Sequence, residues 1–232
     1  MKEKIWKGFV FFFPLLIGGI LFYLLIKNTP LYEMLGIEDG ILEWTQFVFL
    51  ILSVCISILL AFRFKEEKIL FVIYLLFSIA LLFVALEEIS WGERIFGGIN
   101  TDLVPVSLME RNLQGEINIH NIDSIHSKIG YVYILLGFLG CFSWLMVSIS
   151  KKIFSLNQSF LKVVEQIVPS YIFFFYFFPL FINLFTNYGF RPQDYESVEF
   201  ILSLGIFMYL IDGYRKKMMV DDIGFEPMTL SV

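Results

Sequence analysis

The chain reads as an all-α, six-helix transmembrane bundle with an interfacial amphipathic helix before the fourth span. Three observations predict this. Hydrophobic residues fill 58% of the 232 positions, against about 45–50% in soluble domains. The mean hydropathy is +0.76. The apolar residues also come in unbroken runs close to the roughly 20 helical residues that cross a hydrocarbon core.

The first apolar window, 8–26, follows Lys2, Lys4 and Lys7. A basic start of this kind is shared with secretory signals, but the run is longer than their apolar region and no Ala-x-Ala-like site follows. It is read as a retained first span. Further windows follow at 41–62, 69–87, 129–149, 168–187 and 198–214, and together they make one membrane domain over 1–220.

Orientation comes from the basic residues, because segments rich in Lys and Arg stay cytoplasmic. Arg63, Lys65 and Lys68 lie between spans two and three, and Lys151, Lys152 and Lys162 between spans four and five. Alternation then puts the N-terminal lysines on the same side as Arg215, Lys216 and Lys217. Twelve of the seventeen basic residues fall there, and Lys27, Arg94, Arg111, Lys128 and Arg191 fall on the other side. The chain is expected in a bacterial plasma membrane with both termini cytoplasmic. Trp6, Trp44, Trp91 and Trp144 fall near span ends, as interfacial anchors do.

Several function classes are disfavoured. The net charge is −5 with no basic patch, so nucleic acid is not an expected partner. A phosphate loop, a GxSxG elbow, a CxxC pair and an Arg-rich voltage-sensing helix are all absent from the sequence. The two halves share no convincing repeat, which argues against a transporter built from inverted repeats. Cys55 and Cys141 sit inside apolar runs and read as packing residues. Near the end of span six, Asp212 is placed to pair with Arg215 or Lys216. Asn183, one turn after Pro179, and Asn187 add polarity to the outer half of span five.

Most of the unusual residues lie in the outer segments. Gly36 and Gly40 read as turn residues, and Glu43 and Gln46 place a carboxylate and an amide at the outer mouth of span two. Span three ends in Glu87-Glu88-Ile89-Ser90-Trp91-Gly92-Glu93-Arg94. A helix continued through this run puts Glu87, Ser90, Trp91 and Arg94 on one face and turns Glu88 elsewhere. Adjacent carboxylates at a span edge are costly unless paired, protonated or facing a polar cavity. Glu87, Glu88, Ser90 and Arg94 are therefore the candidate catalytic residues, and the alternative is that helix three simply emerges and both glutamates are hydrated.

The longest outer segment, 88–128, carries the only two histidines. Glu116, His120, Asp123 and His126 follow at steps of four, three and three, while Ile119, Ile122, Ile125 and Ile129 fall on the opposite side. This is an amphipathic pattern leading into span four. Such a ladder is a candidate ligand set for a divalent cation such as zinc, whose bound water becomes a nucleophile at neutral pH. The alternative is an interfacial hydrogen-bonding helix, since no HExxH motif is present.

The run Glu87-Glu88-Ile89-Ser90-Trp91-Gly92-Glu93-Arg94-Ile95-Phe96-Gly97, followed by Asn112-x-Gln114-Gly115-Glu116-x-Asn118-x-His120-Asn121, resembles the signature of a family of uncharacterised polytopic bacterial membrane proteins. The resemblance covers the middle third of the chain. In that family the residue before the arginine is often Gln, where this chain has Glu93. The resemblance implies membership and supplies no activity.

The leading expectation is metal-assisted hydrolysis or transfer on a lipid-like substrate, with membrane lipids as partners. The alternative is a non-enzymatic component of membrane assembly or small-solute permeation. Residues 221–232 have no span character. They are expected to be either a disordered tail or a peptide resembling read-through of a tRNA gene on the opposite strand.

Overall fold

Apolar length and charged connectors dictate the elements. The computed structural model describes residues 2–27, 29–36, 40–92, 123–154, 157–183 and 192–223. The helices are α1 (Lys2–Ile26), α2 (Pro30–Leu35), α3 (Ile41–Arg63), α4 (Lys68–Glu88), α5 (Asp123–Ile153), α6 (Gln158–Ile167), α7 (Phe174–Asn183) and α8 (Pro192–Ile223). Short 3₁₀ turns occupy Ser90–Gly92 and Tyr171–Phe173, and no strand occurs among the described residues. Six stretches are long and apolar enough to cross a membrane. Large apolar side chains such as Phe12, Phe22, Phe62 and Leu76 stand exposed on their outer faces, which suits lipid and not water. The chain is a multi-pass membrane protein.

The short connection between α3 and α4 makes them an antiparallel hairpin. Its turn is tied by Glu67 N–H donating to the Phe64 carbonyl at 2.8 Å. Along α3, Leu42, Gln46, Leu50, Ser53, Ser57 and Leu60 repeat at three- and four-residue steps and are buried, which is the inward stripe of a packed helix. Ser57 Oγ donates to the Tyr74 carbonyl at 2.8 Å, and the Tyr74 ring stacks on Phe64 at 5.5 Å. Helix α8 supplies Leu210 to this core and Ile201 and Leu204 to a second one, built with Val10, Cys141, Phe173, Tyr176 and Phe177. It is thus the shared wall of both halves.

The fifth stretch, Gln158–Ile182, is not one continuous helix. Val168 leaves helical geometry just before Pro169, as a residue preceding proline tends to do. Helix α6 has Lys162, Glu165 and Gln166 on one side and Phe160, Val163, Val164 and Ile167 on the other. At ten residues it is about 15 Å long and has the two-sided pattern of an amphipathic interfacial helix. The Tyr74 hydroxyl donates to the Gln166 carbonyl at 3.2 Å and the Tyr209 hydroxyl to the Ile167 carbonyl at 2.8 Å, fastening its end to α4 and α8. Lys162, expected in a plain connector, therefore belongs to a helix. Tyr171–Phe173 and α7, which continues through Pro179, supply the most apolar part of the stretch.

Of the amphipathic segment expected before span four, Asp123 onward is helical and continuous with α5. The rest lies outside the described residues, as does Asn187, and so does the side chain of Asn183. Helix α8 runs on to Ile223, three residues into the expected tail. Both cysteines are free, Cys141 buried and Cys55 exposed. Asp212 pairs with Lys216 at 2.6 Å, as its spacing predicts. It also accepts from the indole of Trp6 at 2.8 Å, so Trp6 locks α1 to α8 and is more than an interfacial anchor.

Candidate functional site

The end of the bundle opposite the termini gathers polar side chains from α2, α3, α4, α5 and α8. The α4 end is built first. Helix α4 stops at Glu88, and Ser90 and Trp91 both take positive φ, 46° and 55°. Left-handed backbone costs a residue with a Cβ roughly 1–2 kcal/mol, so two in succession mark a held, strained turn. The expectation that one helical face carries Glu87, Ser90, Trp91 and Arg94 is corrected here, because the helix does not continue past Glu88. The turn nevertheless returns Trp91 over the last coil of α4. Its ring meets Phe83 edge-on at 5.4 Å, and its Nε1 donates to Oε1 of Glu87.

Glu87 is only 6% exposed and Ser90 only 1%. Glu87 is therefore not one of two hydrated glutamates on an emerging helix, which removes that alternative for this residue. Carboxylates at a helix C-terminus also oppose the helix dipole. Glu87 thus stands where both burial and the local backbone disfavour it, and Glu88, half-buried, where the backbone does.

The second half comes from the start of α8. Gln46, 1% exposed, donates from Nε2 to Oε2 of Glu196 at 3.0 Å and to the Glu196 carbonyl at 3.3 Å. The Tyr133 hydroxyl of α5 donates to Oε1 of Glu199 at 2.6 Å. Ser197 Oγ donates to the Tyr32 hydroxyl at 3.3 Å, tying α2 to the same place. Glu88 and Glu196 also lie within electrostatic range of Tyr133.

The Trp91 indole, the Gln46 amide and the Tyr133 hydroxyl thus each donate to a carboxylate oxygen. Chemically the cluster offers fixed carboxylates able to accept protons or bind cationic groups, beside a phenolic donor. Among the described residues no group of three or more His, Cys, Asp and Glu side chains is placed to hold a metal ion. Arg94, Glu116 and His120, and the side chains of Asp123 and His126, lie outside the described residues.

Sequence reasoning singled out Glu87, Glu88, Ser90 and the Gln46 amide. It missed Tyr32, Tyr133, Glu196 and Glu199. The available signal was Glu196 and Glu199 at the head of span six, a second pair of carboxylates at a span edge. No family model matches the chain, and no curated protein or solved structure matches it.

Proposed function

We propose that the end opposite the termini faces the outer leaflet of a bacterial plasma membrane, with both termini cytoplasmic, and that its polar cluster acts on a lipid-like substrate by metal-assisted hydrolysis or transfer. The carrying observation is the burial of Glu87 at a helix end, oriented by Trp91 across a strained turn. In this reading Glu87, Glu88, Ser90 and Arg94 do the acid–base and positioning work. Glu116, His120, Asp123 and His126 would hold a divalent cation such as zinc, which would supply an activated water. A substrate at this depth presents its head group to the carboxylates and enters sideways from lipid. Membership of the polytopic family that the Glu87–Gly97 and Asn112–Asn121 runs resemble belongs to the same reading. The excess of basic residues near the termini supports the orientation.

The hydrogen bonds from Trp91, Gln46 and Tyr133 favour a second reading. They tie the carboxylates within the bundle, as a non-enzymatic assembly or permeation component would require of a rigid surface. Metal content of the purified protein separates the two. A stoichiometric divalent ion that is lost in both His120→Ala and His126→Ala supports the metalloenzyme. Metal-free wild type with intact folding overturns it in favour of the second reading.

A further inference from the structure

We infer that the groove between the start of α1 and the turn after Pro169 is a binding site for an anionic phospholipid. Lys4 and Lys7 are three residues apart on α1, so their side chains rise from one face at the edge of the first apolar stretch. Gly8 lies on that face, and a Cβ built there meets nothing within 4 Å. The space below the lysines is therefore open. One turn deeper, Phe11 and Phe12 continue the same face.

The opposite wall is Tyr171 and Ile172, and the open groove between them measures about 340 Å³. Proline at 169 ends α6 and starts the 3₁₀ turn that sets this wall in place. Phe11 meets Phe175 edge-on at 5.0 Å and Tyr171 at 6.5 Å, and Tyr171 meets Trp144 at 6.1 Å. The wall is thus held from both sides.

The nearby carboxylate is Glu3, which is shared between Lys7 at 3.6 Å and Arg215 at 3.9 Å. Lys4 has no ion pair among the described residues, so the rim keeps a positive excess. A cationic rim above an aromatic, apolar floor, in a groove running from the bundle end toward the membrane interior, complements a phosphodiester head group with its acyl chain. A free anion would use only the rim, and a neutral apolar molecule only the floor.

The test is native mass spectrometry of the full chain in neutral detergent, titrated with phosphatidylglycerol or with phosphatidylcholine of the same acyl chains. Wild type is expected to prefer the anionic lipid by about tenfold, from two lysine contacts. Lys4→Gln with Lys7→Gln should bring the two lipids to near-equal binding. Gly8→Leu keeps both lysines, favours the helix and fills the floor, so it should weaken phosphatidylglycerol binding roughly tenfold. If the double variant does not fold, Gly8→Leu alone decides. Equal binding of both lipids by wild type, undiminished phosphatidylglycerol binding by Gly8→Leu, or displacement of the lipid by an equal concentration of inorganic phosphate would each overturn the site.

Discussion

The indole of Trp91 donates to the carboxylate of Glu87 although a left-handed turn lies between them. A continuous helix would also bring residues four apart together, but here the contact is made by a chain that has already left helical geometry. The bond and the strain are therefore linked. Replacing Trp91 by Phe keeps an aromatic ring against Phe83 and deletes the donor. Weakening a buried carboxylate's hydrogen bonding costs about 1–3 kcal/mol, so Trp91→Phe should lower the thermal midpoint in detergent. An unchanged midpoint would show that the indole does not hold Glu87.

Ser90 separates backbone strain from side-chain chemistry. Its φ of 46° is unfavourable for any residue with a Cβ and free for glycine. Ser90→Gly relieves about 1–2 kcal/mol of strain and adds about 0.5–1 kcal/mol of unfolded-state entropy. It is thus expected to be more stable than Ser90→Ala, which loses the same hydroxyl, by roughly 0.5 kcal/mol. Ser90→Ala keeps the strain and loses the hydroxyl, and should not stabilise. Thermal unfolding of the two variants side by side checks the sign, and a glycine variant less stable than the alanine one would reject the strain argument.

The six spans were legible in the sequence because the bilayer imposes a length and an apolarity that no tertiary detail overrides. Asp212 with Lys216 was legible because its partner lies one turn away on the same helix. The turn at Ser90 and Trp91 was not, since helical periodicity presumes that the helix continues. Helix α6 was hidden because three basic residues in 151–162 look alike in a loop and on one side of a short helix. Glu199 with Tyr133, and Glu196 with Gln46, join residues 66 and 150 positions apart. Such pairings follow from how α8 packs between the two halves, which no local pattern encodes.

The Tyr133–Glu199 bond clamps α5 to α8 near the cluster. A hydrogen bond to a charged acceptor contributes about 1.5–3 kcal/mol, and the pair is suited to a double-mutant cycle. Tyr133→Phe and Glu199→Gln should each destabilise, and the double variant should lose less than their sum by about that coupling. Denaturation of the four proteins in one detergent measures it. Strict additivity would mean that the two side chains do not act together.

The α5–α7 contact is set by glycine. A Cβ at Gly137 would stand 2.6 Å from the Phe181 backbone nitrogen, and one at Gly140 would stand 2.1 Å from Cγ of Phe177. Small residues permit this approach of membrane helices, where lipid removes most of the hydrophobic drive to associate. Overpacking costs about 1–3 kcal/mol. Gly137→Ala meets backbone and Gly140→Ala meets Cβ and Cγ of the buried Phe177 at 2.6 and 2.1 Å, so both should lose stability. Gly130→Ala, on the same helix with nothing within 4 Å of its Cβ, should be neutral or gain up to about 1 kcal/mol from helix propensity. A higher thermal midpoint for Gly130→Ala than for either Gly137→Ala or Gly140→Ala is the expected result. Equal midpoints would mean that α5 and α7 do not approach this closely.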